Sequence, residues 1–372
     1  MRVTFRLAQL LENCGEKKRG LIKRIAADTK LQRHQVSALL KNRVKHLPLE
    51  SLGAICQYLM ERHQISRTQL PAILFALEPE EFWELLGGRQ FVEICFGIRP
   101  HEVQPAMIVA ADSYLHGVLL KQLFEAKPQF RGPKEGYSLK QRLVSAFGDY
   151  VSDDDAIKEA KAVYADFEAH AGDRALVCLG SIKSNPVIEI PISRTFGATA
   201  FQPQDDINKP SQRSCPFFMR YRDHDPQAPS CYAGTVLAKS RNSTVAGIHY
   251  ELPSGKWTVC KWSNTEDAAL VMYVHRPTVE VVELAMGGFS SRSTHSLAEA
   301  LPQIASKLWP PVIDGPELKV GVFIVRFRHE QPDGPGDIAA LRTAVPINVK
   351  VIPLAEEVIQ RHLGVAMPRN VQ

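Results

Sequence analysis

The sequence lacks most of what would make it anything but an ordinary folded protein. No apolar run approaches the ~20 residues of a membrane-spanning helix; one of the longest is Ala268 to Val274. The opening stretch MRVTFRLAQLLENCGEKKRG has neither an uninterrupted apolar core nor a small-residue cleavage site, so no signal peptide is expected. Cysteines are few: Cys14, Cys56, Cys95, Cys178, Cys215, Cys231 and Cys260 are scattered and odd in number. That usage excludes a disulfide scaffold and suits reduced thiols in a cytoplasmic protein. There is no internal repeat and no low-complexity tract. With 45% hydrophobic and 23% charged residues over 372 positions, disorder is excluded and two domains are expected.

Acidic residues are also scarce at one end. Residues 1–46 hold twelve Lys/Arg against only Glu12, Glu16 and Asp28, a balance of +9 that leaves the remainder at −4 within a total of +5. A cationic head on a slightly acidic body is the asymmetry of a nucleic-acid-binding module joined to something else, although a solvated lysine-rich face produces similar runs. Apolar spacing in the head is helical. Phe5, Leu7, Leu10 and Leu11 suggest one helix, Leu21 to Ala26 a second, Val36 to Leu40 a third, and Leu49 to Leu59 a fourth that starts after Pro48.

The stretch LIKRIAADTKLQRHQVSALLKNRVKHLPLESLGAICQYL resembles the phage-repressor (Cro-like, or XRE-like) helix-turn-helix family over roughly residues 3–64. Ile25–Ala26, Leu31 at the turn, Val36–Ser37, Leu39–Leu40 and the polar run into the fourth helix carry the likeness. Lys30 departs from it, standing where the family usually has Gly. A left-handed backbone there costs a non-glycine residue roughly 1–2 kcal/mol, which packing can offset. Gln32 is also a weak cap where the family often has Ser.

With Val36, Leu39 and Leu40 inward, helix geometry turns Arg33, Ser37 and Lys41 outward, with His34 beside them. The resemblance implies base-edge contacts from Gln32, Arg33, His34 and Ser37, and phosphate contacts from Lys41, Arg43 and Lys45. It also implies double-stranded DNA as partner and dimeric binding, with residues beyond 66 supplying the dimer contacts. No aromatic platform interrupts the basic run, which argues against RNA.

Residues 66–88 read as a helical connector. After Gly87–Gly88, strand-like runs at 91–98, 106–111, 175–179, 217–221, 232–238, 257–262, 269–274, 279–285, 320–326 and 349–353 appear. They alternate with helical segments near 113–126, 155–171, 186–195, 295–308 and 355–363. Loops are expected at 127–138, 202–216 and 331–337. The expected fold is therefore an all-α helix-turn-helix domain (1–65), then a mixed α/β, Rossmann-like open-sheet domain (89–372), or two lobes, 89–200 and 201–372.

Two loops in the body follow a strand and open a helix: Gly180-Ser181-Ile182-Lys183-Ser184-Asn185, and Gly287-Gly288-Phe289-Ser290-Ser291-Arg292-Ser293-Thr294. Such junctions gather backbone N–H groups around an anion, and Lys183 and Arg292 add a cation to each. Paired, they suggest a phosphate-bearing or nucleotide-like effector. Neither matches GxGxxG or GxxxxGK[ST], so hydroxyl-rich helix capping stands as the alternative. Glu189, one turn into the first helix, raises the possibility of glycosidic-bond cleavage of a nucleotide, which would make the body an enzyme. Cys215, Asp223, His224, Asp225 and Cys231 are close in sequence but lack metal-ligand spacing, and no resident metal or cofactor is expected. Ser290 to His295 lacks a nucleophile elbow. The regulator reading requires the body to bind effector differently in its DNA-competent and incompetent states.

Overall fold

The computed structural model describes residues 2–16, 19–44, 46–99, 107–126, 138–148, 151–170, 172–237, 242–315, 317–331 and 345–364. The chain divides into two compact units, Met1–Glu80 and Glu81–Gln372.

The first unit runs β1 (Arg2–Phe5), α1 (Leu7–Asn13), α2 (Leu21–Thr29), α3 (Arg33–Leu40), α4 (Leu49–His63), α5 (Leu70–Leu74) and β2 (Phe75–Glu78). The four expected helices form, and their apolar stripes meet in one core that includes Leu7, Leu11, Ile25, Val36, Leu39 and Ile55. The unit is not all-α, however. Strands β1 and β2 pair antiparallel, with Arg2 opposite Glu78 and Phe5 opposite Phe75, whose rings lie 5.4 Å apart. Phe5 thus belongs to a strand, and Phe75–Glu78 does not continue the helix before it. The pairing joins opposite ends of the unit, so local periodicity carries no trace of it.

Lys30 does adopt the left-handed conformation, at φ 60° and ψ 14°. Thr29 supports the turn: its hydroxyl donates to Ile25 O at 2.6 Å and accepts from the Leu31 N–H at 3.4 Å. Gln35 steadies the start of α3 by accepting from the Gln32 N–H at 3.0 Å. Glu16 receives the Arg24 guanidinium at 2.7 Å and the Tyr58 hydroxyl at 3.1 Å, tying the turn after α1 to α2 and α4.

The second unit opens with α6 (Glu84–Gly87), β3 (Phe91–Arg99), β4 (Met107–Ile108), α7 (Ala110–Ala126), β5 (Ser138–Ser145), α8 (Asp153–Ala169), β6 (Arg174–Leu179) and α9 (Glu189–Thr195). Next come β7 (Phe217–Arg220), β8 (Ala233–Gly234), β9 (Gly247–Glu251), β10 (Trp257–Lys261), β11 (Glu266–Arg276), β12 (Val281–Gly288) and α10 (Ser291–Ile304). It closes with β13 (Ile313–Asp314), β14 (Lys319–Arg328), β15 (Asn348–Pro353) and α11 (Glu356–His362).

A nine-stranded mixed sheet organises this unit. Strands β5, β3, β6 and β12 are parallel neighbours; β11 and β14 then continue the sheet antiparallel, with β13 and β15 on β14. Alternate residues of β6 enter two cores: Leu176 and Cys178 face α8 and α9, while Val177 and Leu179 face α7 and α10. Burial on both faces explains the unbroken apolar runs.

The Rossmann-like open sheet is therefore corrected. In the large sheet only β5, β3, β6 and β12 pair in parallel, because β11 and β12 are joined by a turn too short for anything but an antiparallel hairpin, and β14, though it runs in the direction of β12, is separated from it by β11. A separate four-stranded sheet, β10-β9-β7-β8, adds a second layer of strands. Three strands of this unit went unread, the two-residue β13 among them. Ser138–Ser145 alternates polar and apolar and passes for loop, and Gly247–Glu251 is short and polar. The runs at 106–111 and 232–238 shrink to the two-residue strands β4 and β8, with α7 already begun at Ala110. Of the expected segments, residues 106, 127–137, 171, 238 and 332–337 lie outside the described residues. No helix among the described residues is long and apolar enough to cross a membrane.

Candidate functional site

The two loops singled out in the sequence stand side by side. They leave the carboxyl ends of β6 and β12, which pair in parallel through Leu179 opposite Met286. Their backbones touch: a Cβ on Gly287 would lie 2.0 Å from Gly180 O, so no larger residue fits. Asn185 anchors the first loop. Its side-chain amide donates to Cys95 O at 2.9 Å and Leu179 O at 3.0 Å, and its carbonyl accepts from the Val187 N–H at 3.2 Å. With its amide and carbonyl both engaged, Asn185 pins the loop between β3 and β6.

Capping describes part of the second loop. Ser293 Oγ accepts from the Ser290 N–H at 3.0 Å, Thr294 Oγ1 accepts from the Gly288 N–H at 2.9 Å, and Ser290 donates to buried Asp267 at 2.5 Å. Arg292 is committed too. Its guanidinium donates to Asn264 O at 2.6 Å, Ser263 O at 2.5 Å and Glu266 O at 3.0 Å, fixing the 263–266 turn against α10. Lys183 lies 3.1 Å from an Asp225 oxygen and 3.3 Å from Phe289 O, bridging one loop to the other. Burial pulls the Lys183 ammonium below its ordinary range, while Asp225 opposes that shift. Asp225 also receives Arg222, whose Nη2 and Nε approach to 2.6 and 3.0 Å.

Above these loops opens a cleft of about 1030 Å³. Tyr114 and His295 stack on one another at its edge, centroids 4.8 Å apart, and the Arg222 guanidinium lies over the Trp262 ring at 4.9 Å. Met107, Ile108 and Val109 add apolar lining. A smaller recess of about 70 Å³ shares Arg99, Val109, Arg222, Ser290 and Ser291 with the cleft. Lys183, Asp225 and Asp112 line that recess as well. Burial pushes the Asp112 carboxyl up to about 6, opposed by the neighbouring Ser184 hydroxyl and the charge of Arg99.

Of the residues expected to bind ligand, Ser181, Lys183, Ser184, Gly288, Ser290, Ser291 and Arg292 line the cleft or its recess. Gly180, Asn185, Gly287 and Ser293 build it from behind. Arg99, Asp112, Tyr114, Arg222 and Trp262 were missed. Arg99 ends β3, the parallel neighbour of β6, so a correct strand order would have brought it to the same edge.

Glu189 belongs elsewhere. It is fully buried and lines neither space; it accepts from the Cys231 N–H at 2.7 Å, the Ser230 hydroxyl at 2.7 Å and the Phe201 N–H at 3.1 Å. Burial raises its carboxyl, and those donors restrain the rise. Cys215 and Cys231 are buried with sulfurs 3.8 Å apart, whereas Asp223 and His224 are exposed. Among the described residues no three metal-ligating side chains converge.

In the first unit, Gln32, Arg33, His34, Lys41 and Arg43 are exposed and Ser37 is half-buried, while Val36 and Leu39 face the core. Lys45 lies outside the described residues. No family model matches the sequence, and no curated protein or solved structure is significantly similar to it.

Proposed function

We propose that the chain is a sequence-specific DNA-binding regulator, acting as a dimer, whose second unit receives a small phosphate-bearing ligand. One observation carries the reading. Helix α3, set after α2 by a tight turn, buries Val36 and Leu39 and exposes Arg33 and His34, with Gln32 exposed at its start and Lys41 and Arg43 exposed just past its end. Among the described residues Arg33, Lys41 and Arg43 form no ion pair, so these cations are available to an external anion. A helix of this size enters a major groove, where Arg grips guanine and Gln adenine, while the cations past its end meet phosphates.

One such module makes too few contacts for tight specific binding, which favours two copies on half-sites about 10 base pairs apart. The cleft gives the second unit a place to receive an effector; control follows when the ligand has different affinities for the DNA-competent and incompetent states.

Genome-wide mapping of DNA bound by the full chain tests the reading. Discrete sites that weaken with Arg33→Ala support it. Uniform, sequence-independent occupancy by both proteins contradicts it.

A further inference from the structure

Asp112 sits in the first turn of α7, only 2% exposed, and its Oδ2 meets no hydrogen-bond partner among the described residues. A buried carboxylate oxygen without a donor is unfavourable, and Asp112 is one of the residues that line the small recess of the cleft. Arg99, Lys183 and Arg222 stand around the same recess; Asp225, its other carboxylate, is already held by Lys183 and Arg222. Ser290 and Ser291 bring the positive end of α10 to it as well. The recess therefore attracts an anion and is walled by a carboxyl that lacks a donor.

Most ligands answer only one of those demands. An ammonium group would suit Asp112 but face three cations. A phosphodiester would suit the cations, yet its unesterified oxygens only accept. A phosphate monoester satisfies both, since it carries charge and also a proton that ionises near pH ~6. Burial places the Asp112 carboxyl at about 6, so the two groups hold a shared proton with similar strength. Next to the recess, Trp262 and the stacked Tyr114–His295 pair offer flat ring surfaces in the larger space.

We infer that the cleft takes a phosphate monoester borne on a planar ring, a mononucleotide-type ligand, whose terminal phosphate enters the recess and shares one proton with Asp112. The inference rests on reading the cleft as the ligand site, and it selects among phosphate ligands. Trp262 and Tyr114 hold the ring, Lys183, Arg222 and Arg99 supply charge, and Asp112 distinguishes the terminal phosphate from an internal one.

Calorimetric titration of the full chain with the four ribonucleoside 5′-monophosphates, each beside its 3′,5′-cyclic diester, provides the test. At least one monophosphate should bind, with its cyclic diester weaker by about tenfold or more, a difference of about 1.4 kcal/mol. In Asp112→Asn that preference should collapse to less than about threefold, because the amide donates to either phosphate. Exposed Arg99→Ala should weaken whichever forms bind by a similar factor, leaving the preference intact. Equal binding of monoester and diester by the wild type would overturn the role of Asp112 and leave the cleft as an anion site. Absence of binding by every probe would overturn the cleft reading as well.

Discussion

Two buried carboxylates in the second unit show how far environment decides what a residue does. Asp112 has an unpartnered oxygen, and burial lifts its carboxyl to about 6. Between pH ~4 and ~6 the native state keeps a proton that the unfolded chain has released, so this group's contribution to stability falls as pH rises through that window. Asp112→Asn should therefore stabilise the protein by about 1–3 kcal/mol at pH 7.5 and by nothing near pH 4, as read from urea unfolding at both pH values. Glu189, in contrast, has three donors. Glu189→Ala should cost about 3 kcal/mol or more by stranding the N–H groups of Phe201 and Cys231, while leaving affinity at the cleft unchanged in calorimetry. Sequence position drew attention to Glu189, although of the two only Asp112 lines the recess of the cleft. Glu189 follows a conspicuous Gly/Ser loop, but its donors come from residues 201 and 230–231, whose approach depends on tertiary packing. Asp112 follows a run that reads as a strand and had nothing nearby to mark it.

At the scale of elements, the tight turn between α2 and α3 is held by a lysine in a conformation suited to glycine. Lys30→Gly should stabilise the first unit by about 0.5–1 kcal/mol, the relief of left-handed strain less the added freedom of the unfolded chain. Thermal unfolding followed by far-ultraviolet circular dichroism would register the rise, and a fall would mean the turn is set by Lys30 contacts instead. Elements whose signal is local were legible: helices α1 to α4, the strands β6 and β12, and the two junctions that follow them. The pairing of β1 with β2, the polar strand β5 and the antiparallel half of the large sheet depend on partners distant in sequence, which periodicity does not encode. The loops could be recognised as junctions, but Arg292 and Asn185 could not be recognised as their fasteners, since the carbonyls they grip come from other elements.

For the molecule as a whole, the uneven distribution of charge matters most. The cations concentrate in the unit that presents α3, and the cleft belongs to the unit with a slight acidic excess. Contacts to phosphate should govern affinity without reading sequence. Lys41→Ala combined with Arg43→Ala should weaken binding to every duplex and reduce the slope of log affinity against log salt by about 2, one unit per lost phosphate contact. Arg33 should govern sequence choice. The decisive measurement is a fluorescence-anisotropy titration of the full chain and of Arg33→Ala against one mapped site and a scrambled duplex of equal length. The regulator reading predicts that wild type prefers the site by at least a hundredfold and that Arg33→Ala loses roughly 5- to 100-fold of that preference. Equal affinity of wild type for the two duplexes, or full retention of the preference without Arg33, would contradict it.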